Sequence, residues 1–484
     1  MMFRTIRLAA LLAATTALCA CATGPDYARP QTASGMAAPF IGAAAPVVSA
    51  APVDPGWWRL YDDAVLNALI GDALTANTDL RVAVANLARA RATLRGARTD
   101  RLPQTGIDAS LTRTRVPDWQ VIPGIPRERW SVDAGLNVAY EVDLFGRVSR
   151  NIEAARGDVQ AAAGDADAVR VAVVADTVRA YADATASAQQ IAVAERTVAL
   201  LDRAVRVTGA RVEAGRSQRL DLIRISALRD QRRADVPPLV AVRESALFRL
   251  ATLTGRAPRD LPETVRAAAT LPRIAQAIPV GDGQALIARR PDVRAAERRL
   301  AADTARIGVA TADLYPRIRL GGEVGTTSNG LSDIIGGGPL RFVLGPLINW
   351  AFPNTAATRA RIAGAQAQAQ APLATFDGTV LTALEETETA LAVYAREIER
   401  RAALVSARDL AERAARVTAA RQREGTIDFL TLLDAQRTLA DAQADLAASD
   451  RRIAFAQVDL FRALGGGWEQ PEVGTAAVPA PPRG

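Results

Sequence analysis

Acid–base and metal chemistry would have to be done in this chain without its usual residues. The 484-residue sequence contains no histidine, and all 59 of its basic residues are arginine. Histidine is the commonest general base and metal ligand, so most catalytic and zinc constellations are excluded at the outset. What is left is charge that can steer or block. Leu430, Asp434 and Arg437 fall at i, i+4 and i+7, one face of a helix, with Asp428 just ahead of them. On spacing alone, Asp434 and Arg437 make an ordinary surface pair worth roughly a few tenths of a kcal/mol. Glu213, Gly215, Arg216 and Arg219 form a charged turn, which reads equally as a solvated turn or as a docking surface. The run Gly336-Gly337-Gly338 precedes a proline and a candidate strand. It reads as a hairpin turn, not as a phosphate loop. The residues therefore predict no enzyme, no cofactor and no metal.

The net charge of +7 comes from 59 basic and 52 acidic residues that alternate along the chain. No arginine cluster carries interleaved aromatics, which argues against nucleic acid. The N-terminus is an address. Arg4 and Arg7 precede an apolar run from Leu8 to Ala20, ending Leu18-Cys19-Ala20-Cys21. The run is too short to span a bilayer but suits a signal peptide over residues 1–20. Its end resembles a lipoprotein box, with Cys21 as the lipidated residue. Ala22, in place of an aspartate, directs such a protein to the outer membrane. Cys19 leaves with the leader, so no intrachain disulfide is expected.

Residues 21–56, rich in Ala, Pro and Gly, read as a lipid anchor and extended linker. A repeat with a spacing near 210 residues follows. Asp79, Arg81, Leu87, Asp100 and Pro103 match Asp292, Arg294, Leu300, Asp313 and Pro316. Arg206-Val207-Thr208 matches Arg416-Val417-Thr418, and Gly215 and Gly255 match Gly425 and Gly465. The first repeat is placed at 57–270 and the second at 271–468, with a disordered tail at 469–484. Each repeat reads helix, two strands, long helix, turn, returning helix. One helix is expected from Asp63 to Asp100. The long helices, Ser149–Ala214 and Thr355–Glu424, would each reach roughly 100 Å at 1.5 Å per residue. Gly215 and Gly425 stand where they turn back, and Pro237-Pro238 should kink the first returning helix.

From Trp130 to Tyr140 apolar and polar residues alternate, with an aromatic at each end. Ten steps of about 3.3 Å, tilted about 40°, give roughly 25 Å, the height of the apolar band of an outer-membrane barrel. Trp130 and Tyr140 would be its aromatic girdle. Gln104–Thr114 alternates too, as do the residues from Ile318 to Val324, and a weaker strand spans Leu340–Ile348. Asp108, Asp133, Asn137 and Glu323 fall on the polar side. Four strands cannot close a barrel, and open edges cannot face lipid, so the chain must oligomerise if it spans.

Four stretches carry a family resemblance: CATGPDYARP (21–30), YEVDLFGR (140–147), RRPDVRAAERRLAADTARIGVATADLYPRIRL (289–320) and GTIDFLTLLDAQR (425–437). They resemble the TolC-like outer membrane factors, in the NodT-type lipoprotein branch that serves resistance-nodulation-division (RND) efflux pumps. The resemblance covers Cys21 to about Trp468. It implies an α+β membrane protein: a homotrimer with a twelve-stranded β-barrel, four strands per chain, continued by a twelve-helix periplasmic α-barrel with a mixed equatorial domain. Its implied partners are outer-membrane lipid, a periplasmic adaptor and an inner-membrane RND transporter. The periplasmic constriction would use the 425–437 stretch. Leu430 would form an apolar ring, Asp434 a carboxylate ring joined by Asp428, and Arg437 would pair with Asp434 within or between subunits. Glu213, Gly215, Arg216, Arg219 and Gly425 would dock the adaptor. On their own residues, Glu385, Glu386 and Glu388 read as a tunnel lining or, as such charge runs usually are, a solvated face. The sequence departs from the family at Trp350-Ala351-Phe352-Pro353-Asn354, which lacks the usual Gly-Arg. The expected function is a passive exit duct for drugs or other small molecules. Export of protein or polysaccharide, or a scaffolding role without a pore, are the alternatives.

Overall fold

The computed structural model of the chain describes residues 22–31, 34–274, 276–330 and 340–466. The leader, Cys21, the 336–338 turn and the C-terminal tail lie outside the described residues. In chain order the elements are β1 (Val48–Ser49), α1 (Ala64–Ala76), α2 (Thr78–Thr99), β2 (Gln104–Arg115), β3 (Glu128–Val142), α3 (Arg147–Glu213), α4 (Arg219–Ala234) and α5 (Val236–Leu253). Then follow β4 (Ile278–Pro279), α6 (Gly283–Arg289), α7 (Pro291–Ala312), β5 (Arg317–Ser328), β6 (Leu340–Asn349), α8 (Ala356–Arg423) and α9 (Phe429–Ala463). The order α1–α5 with its two strands returns as α6–α9 with two more, so the repeat is structural. α3 and α8 run unbroken for 67 and 68 residues, Pro372 included. No described helix is long and apolar enough to cross a membrane.

The chain folds as two compact units, and both draw on both repeats. The first takes Asn86–Ala163 and Ala295–Asp377, with the described residues up to Pro30. The second takes Gln31–Ala85, Gly164–Arg294 and the described residues from Gly378 onward.

The first unit holds a four-stranded antiparallel sheet in the order β2-β3-β5-β6. Its register is continuous: Leu111 opposes Val132, Leu136 opposes Val324, Tyr140 opposes Leu320 and Val324 opposes Phe342. Because successive side chains alternate between faces, these pairs share one face of the sheet. Ile107, Leu136, Val324 and Phe342 on that face are exposed, at 81%, 45%, 56% and 73%. A soluble sheet buries its apolar face, and this one does not. β6 departs from clean alternation, because it places Val343 and Leu347 on the polar face beside Arg341. The segment from Ala22 to Pro30 is extended, as expected of a linker, but it is fastened. Thr23 donates to the Phe145 carbonyl at 3.0 Å, Arg150 pairs with Asp26 at 2.6 Å, and Tyr27 donates to Glu297 at 2.9 Å.

The second unit is helical, with Trp57 stacked on Phe461 at 4.4 Å, both essentially fully buried. The rest of the supposed linker is fastened here. β1 pairs in parallel with β4, and Phe40, Val48 and Val53 are buried. This refines the expectation of an extended linker; its anchorage consists of backbone pairing and scattered apolar contacts with no helical or strand period.

The single helix expected from Asp63 to Asp100 is corrected. It breaks at Asn77, whose backbone turns extended. The Asn77 side-chain oxygen accepts the N–H groups of Asp79 and Leu80 at 2.9 and 3.1 Å, which makes Asn77 the cap that starts α2. Its amide nitrogen donates to the Leu253 carbonyl at 3.1 Å, at the end of α5. The second repeat makes the same joint with different chemistry. The chain breaks at Arg290 between α6 and α7, Pro291 begins the new helix, and Arg290 donates to the Ala463 carbonyl at 2.8 Å, at the end of α9. The kink expected at Pro237-Pro238 is present as the division between α4 and α5 at Asp235. α9, which has no proline, runs on for 35 residues.

Candidate functional site

Both hairpin turns lie in the second unit, and they are built alike. At the end of α3 the Gly215 N–H donates to the Val212 carbonyl at 3.0 Å and the Arg216 N–H to Arg211 at 2.7 Å. At the end of α8 the Gly425 N–H donates to Gln422 at 3.1 Å and the Thr426 N–H to Arg421 at 3.0 Å. This is the Schellman closure, which needs a left-handed residue, and the two glycines have φ of +69° and +76°. A Cβ on either would meet nothing within 4 Å, so glycine is required there for its backbone and not for close packing. Gly255 and Gly465 close the returning helices with the same pair of bonds. Glu213, Arg216 and Arg219 around the first turn are exposed. Gln218 caps α4 in a reciprocal box with Asp221.

Asp428 has a definite structural task. Its carboxylate accepts the Thr431 N–H at 2.9 Å and the Thr431 hydroxyl, and so caps α9. Those bonds, the hydroxyl first, hold its pKa below the usual carboxylate range. The cap is therefore intact at neutral pH and is lost only as pH falls through that depressed value.

Beyond the cap, α9 has two distinct sides. Phe429 and Leu433 pack against Leu201, Ile225 and Leu228 of α3 and α4, and Leu432 is buried. Arg232 ties α4 to Asp441 at 2.6 Å. Leu430, Asp434 and Arg437 share the other side, all exposed, with Leu430 at 47%. Among the described residues neither Asp434 nor Arg437 has a side-chain hydrogen bond or ion pair within its own chain. The i,i+3 pair that the spacing allows is not formed. The structure thus brings the three gate candidates onto one free face and sets Asp428 apart as a cap.

Two of the carboxylates proposed for a tunnel lining are engaged elsewhere. Glu386 pairs with Arg290 at 2.7 Å. Glu388 accepts the N–H groups of Ile41 and Gly42 at 2.7 and 3.0 Å. Glu385 is exposed.

On the sheet of the first unit, the polar candidates fall into two bonded groups, Asp108 with Asn137, and Asp133 and Glu323 joined through Thr327 and Arg341. Asn137 donates to Asp108, and Thr327 donates to Asp133 at 2.6 Å. Arg341 pairs with Glu323 at 2.5 Å and stands 3.7 Å from Asp133. Arg341 was not singled out in the sequence, where β6 shows too little alternation to assign its faces. Trp130 and Tyr140 lie on the opposite, apolar face. At the helix-side end of the sheet, Phe145 stacks on Tyr315 at 4.5 Å and Trp350 on Phe352 at 4.7 Å. The atypical 350–354 segment supplies this second stack, and α8 then starts cleanly at Ala356. Ala22, the residue after Cys21, lies against Gly146, where an added Cβ would come within 2.8 Å of the Ala22 Cα.

A two-faced sheet without a cover, long helices closed by matched glycine turns, and a twofold internal repeat are the geometry against which the chain can be compared with known proteins. Its sequence matches the outer membrane efflux protein family over residues 69–256 and again over 283–466. The chain belongs to that family. This efflux protein is 33% identical to the outer membrane protein OprJ of Pseudomonas aeruginosa, over 95% of its own length and 96% of the relative's. It is 30% identical to the solvent efflux pump outer membrane protein SrpC of Pseudomonas putida, over 97% and 99% of the two chains. Its fold superposes on the solved outer-membrane channel OprN with a TM-score of 0.86 at 37% identity, covering 93% of this chain and 100% of that one. It is an outer-membrane protein of efflux with the TolC-like fold.

Proposed function

We propose that three copies of this chain join edge to edge, the free edge of β6 on one against the free edge of β2 on the next, and close a twelve-stranded barrel. The barrel continues as a twelve-helix tube into the periplasm. A lipid on Cys21 adds to the anchorage. A periplasmic adaptor docks on the turns that carry Glu213, Gly215, Arg216, Arg219 and Gly425, and an inner-membrane RND transporter loads the duct. The duct passes drugs or other small molecules without chemistry of its own. Asp434 and Arg437, behind a ring of Leu430, form the closing point at the periplasmic end.

The observation that supports this most is the uncovered apolar face of a sheet whose two edge strands, β2 and β6, each have an unpaired side. In hydrocarbon every backbone group needs a partner within the protein, and a closed barrel of several chains supplies it. The test is conductance. The purified oligomer in planar bilayers is expected to give discrete channels. A well-folded preparation with none would turn the reading toward a scaffolding lipoprotein.

A further inference from the structure

The apolar face of the sheet is charged at one end only. Of the charged residues in the four strands, Arg113, Arg115 and Glu128 stand on that face, and the register puts all the others on the polar side. These three occupy its last two cross-strand pairs, Arg113 with Trp130 and Arg115 with Glu128. They lie at the end of the β2–β3 hairpin away from α2 and α3. The helix-side end of the same face carries Tyr140, Val142, Ile318 and Ile348, with no charge.

The cluster does not neutralise itself. Glu128 accepts from Arg113 and from Arg115, at 2.7 Å each, so one carboxylate is shared by two guanidinium groups. The two arginine side chains are 60% and 63% exposed, and each spends only part of its fork of donors on Glu128. Arg113 also lies 5.6 Å over the Trp130 ring, which orients it. A guanidinium facing lipid is strongly disfavoured at mid-bilayer and costs little near the interface, so head-group depth is where such a pair is tolerated. A girdle that served only the water boundary would treat both ends alike. This face is cationic at its outer end and aromatic-aliphatic at its inner end.

We propose that Arg113 and Arg115 bind a phosphate of the phosphorylated glycolipid that forms the outer leaflet, with Trp130 packed against its sugar. This rests on the reading of the sheet as membrane-spanning. The planar fork of arginine suits a phosphate that it can reach with two N–H groups. Glu128 holds the two forks side by side and leaves the net charge positive. The bound lipid would seat the outer rim of the barrel in the leaflet that carries those phosphates.

The test uses the full-length oligomer in lipid nanodiscs and measures retention of bisphosphorylated lipid A, dephosphorylated lipid A and phosphatidylglycerol. The wild-type protein is expected to prefer bisphosphorylated lipid A over both others by on the order of tenfold. The R113Q/R115Q variant should lose that preference, and R113K/R115K should keep a reduced one. A preference that survives the glutamine exchange overturns the proposal. Equal retention of phosphatidylglycerol overturns it too, because general attraction to anionic surfaces would then suffice. Full displacement by excess inorganic phosphate would assign the site to free anion and reject the lipid. Channel conductance is recorded on the same samples. Intact channels without lipid preference reject this inference alone, whereas a wild-type protein without channels rejects the duct.

Discussion

Asp434→Ala is expected to open a leak: a several-fold rise in channel conductance, and cells that become more sensitive to large antibiotics. The expectation follows from what Asp434 lacks. It is exposed on the helix face that carries Leu430 and Arg437, and among the described residues no side chain of its own chain holds it. A charged pair left open on a regular helix contributes little to the monomer. In the proposed trimer each Asp434 would have a neighbouring Arg437, and the pairs would restrain one another across subunits. Removing the carboxylate leaves three unmatched guanidinium groups that repel, and the tips spread. Arg437→Ala should act in the same direction. Asp428→Asn is the contrasting exchange. Asparagine keeps the cap on α9, so conductance should stay at the wild-type level. If Asp434→Ala and wild-type channels conduct alike, Asp434 has no part in closure.

Arg290→Ala is expected to be the most damaging single change in the helical unit, by about 2–4 kcal/mol. Arg290 is 8% exposed and binds three partners: Asp292 through two bonds of 3.0 and 2.7 Å, Glu386 at 2.7 Å and the Ala463 carbonyl at 2.8 Å. Burial works against its charge, but the bonds to Asp292 and Glu386 outweigh burial and raise its pKa. The effect stays below that of a fully buried pair because the Asp292 and Glu386 side chains are 37% and 49% exposed. The substitution also frees the end of α9 and leaves a hole against Gly465, whose added Cβ would lie 2.8 Å from the Arg290 Cγ. Arg290→Lys keeps the charge but loses the fork and should recover only part of the loss. The readout is the melting of the detergent-solubilised oligomer. A pH arm follows from Asp292, which burial would raise and the Arg290 pair lowers. Its folded-state pKa lies below the unfolded one, so its contribution is full at neutral pH and fades as pH falls through the depressed value. An unaltered melting curve for Arg290→Ala would remove the joint from the account.

The parts of this fold that were legible in the sequence are those written in periods and in backbone-specific residues. Alternation from Trp130 to Tyr140 gave a strand and its faces, because a period of two admits one register against a buried or lipid-facing side. Gly215 and Gly425 marked turns, because a left-handed cap selects glycine. The joints were not legible. Asn77 interrupts an otherwise helical stretch, and its capping role depends on a carbonyl 176 positions away, at Leu253. Arg290 plays the same part with a different side chain, so comparison of the repeats by residue identity could not pair them. The segment from Ala22 to Val53 carries no period, and its anchorage rests on side-chain bonds, a short parallel pairing and apolar contacts to residues far along the chain. Glu386 and Glu388 looked like free lining charges because their partners, Arg290 and the amides at Ile41 and Gly42, are equally distant in sequence. The gate candidates fell between these cases. Helical spacing placed Leu430, Asp434 and Arg437 together, but could not tell that Asp428 was already committed to Thr431.

The edges of β2 and β6 are unpaired, and in a membrane only sister copies can seal them. The most direct measurement is the number of chains in the particle extracted from outer membranes with mild detergent, read by native mass spectrometry or by light scattering corrected for bound detergent. Three chains per particle is the predicted result. A single folded chain that leaves the membrane fraction in buffer alone would contradict it.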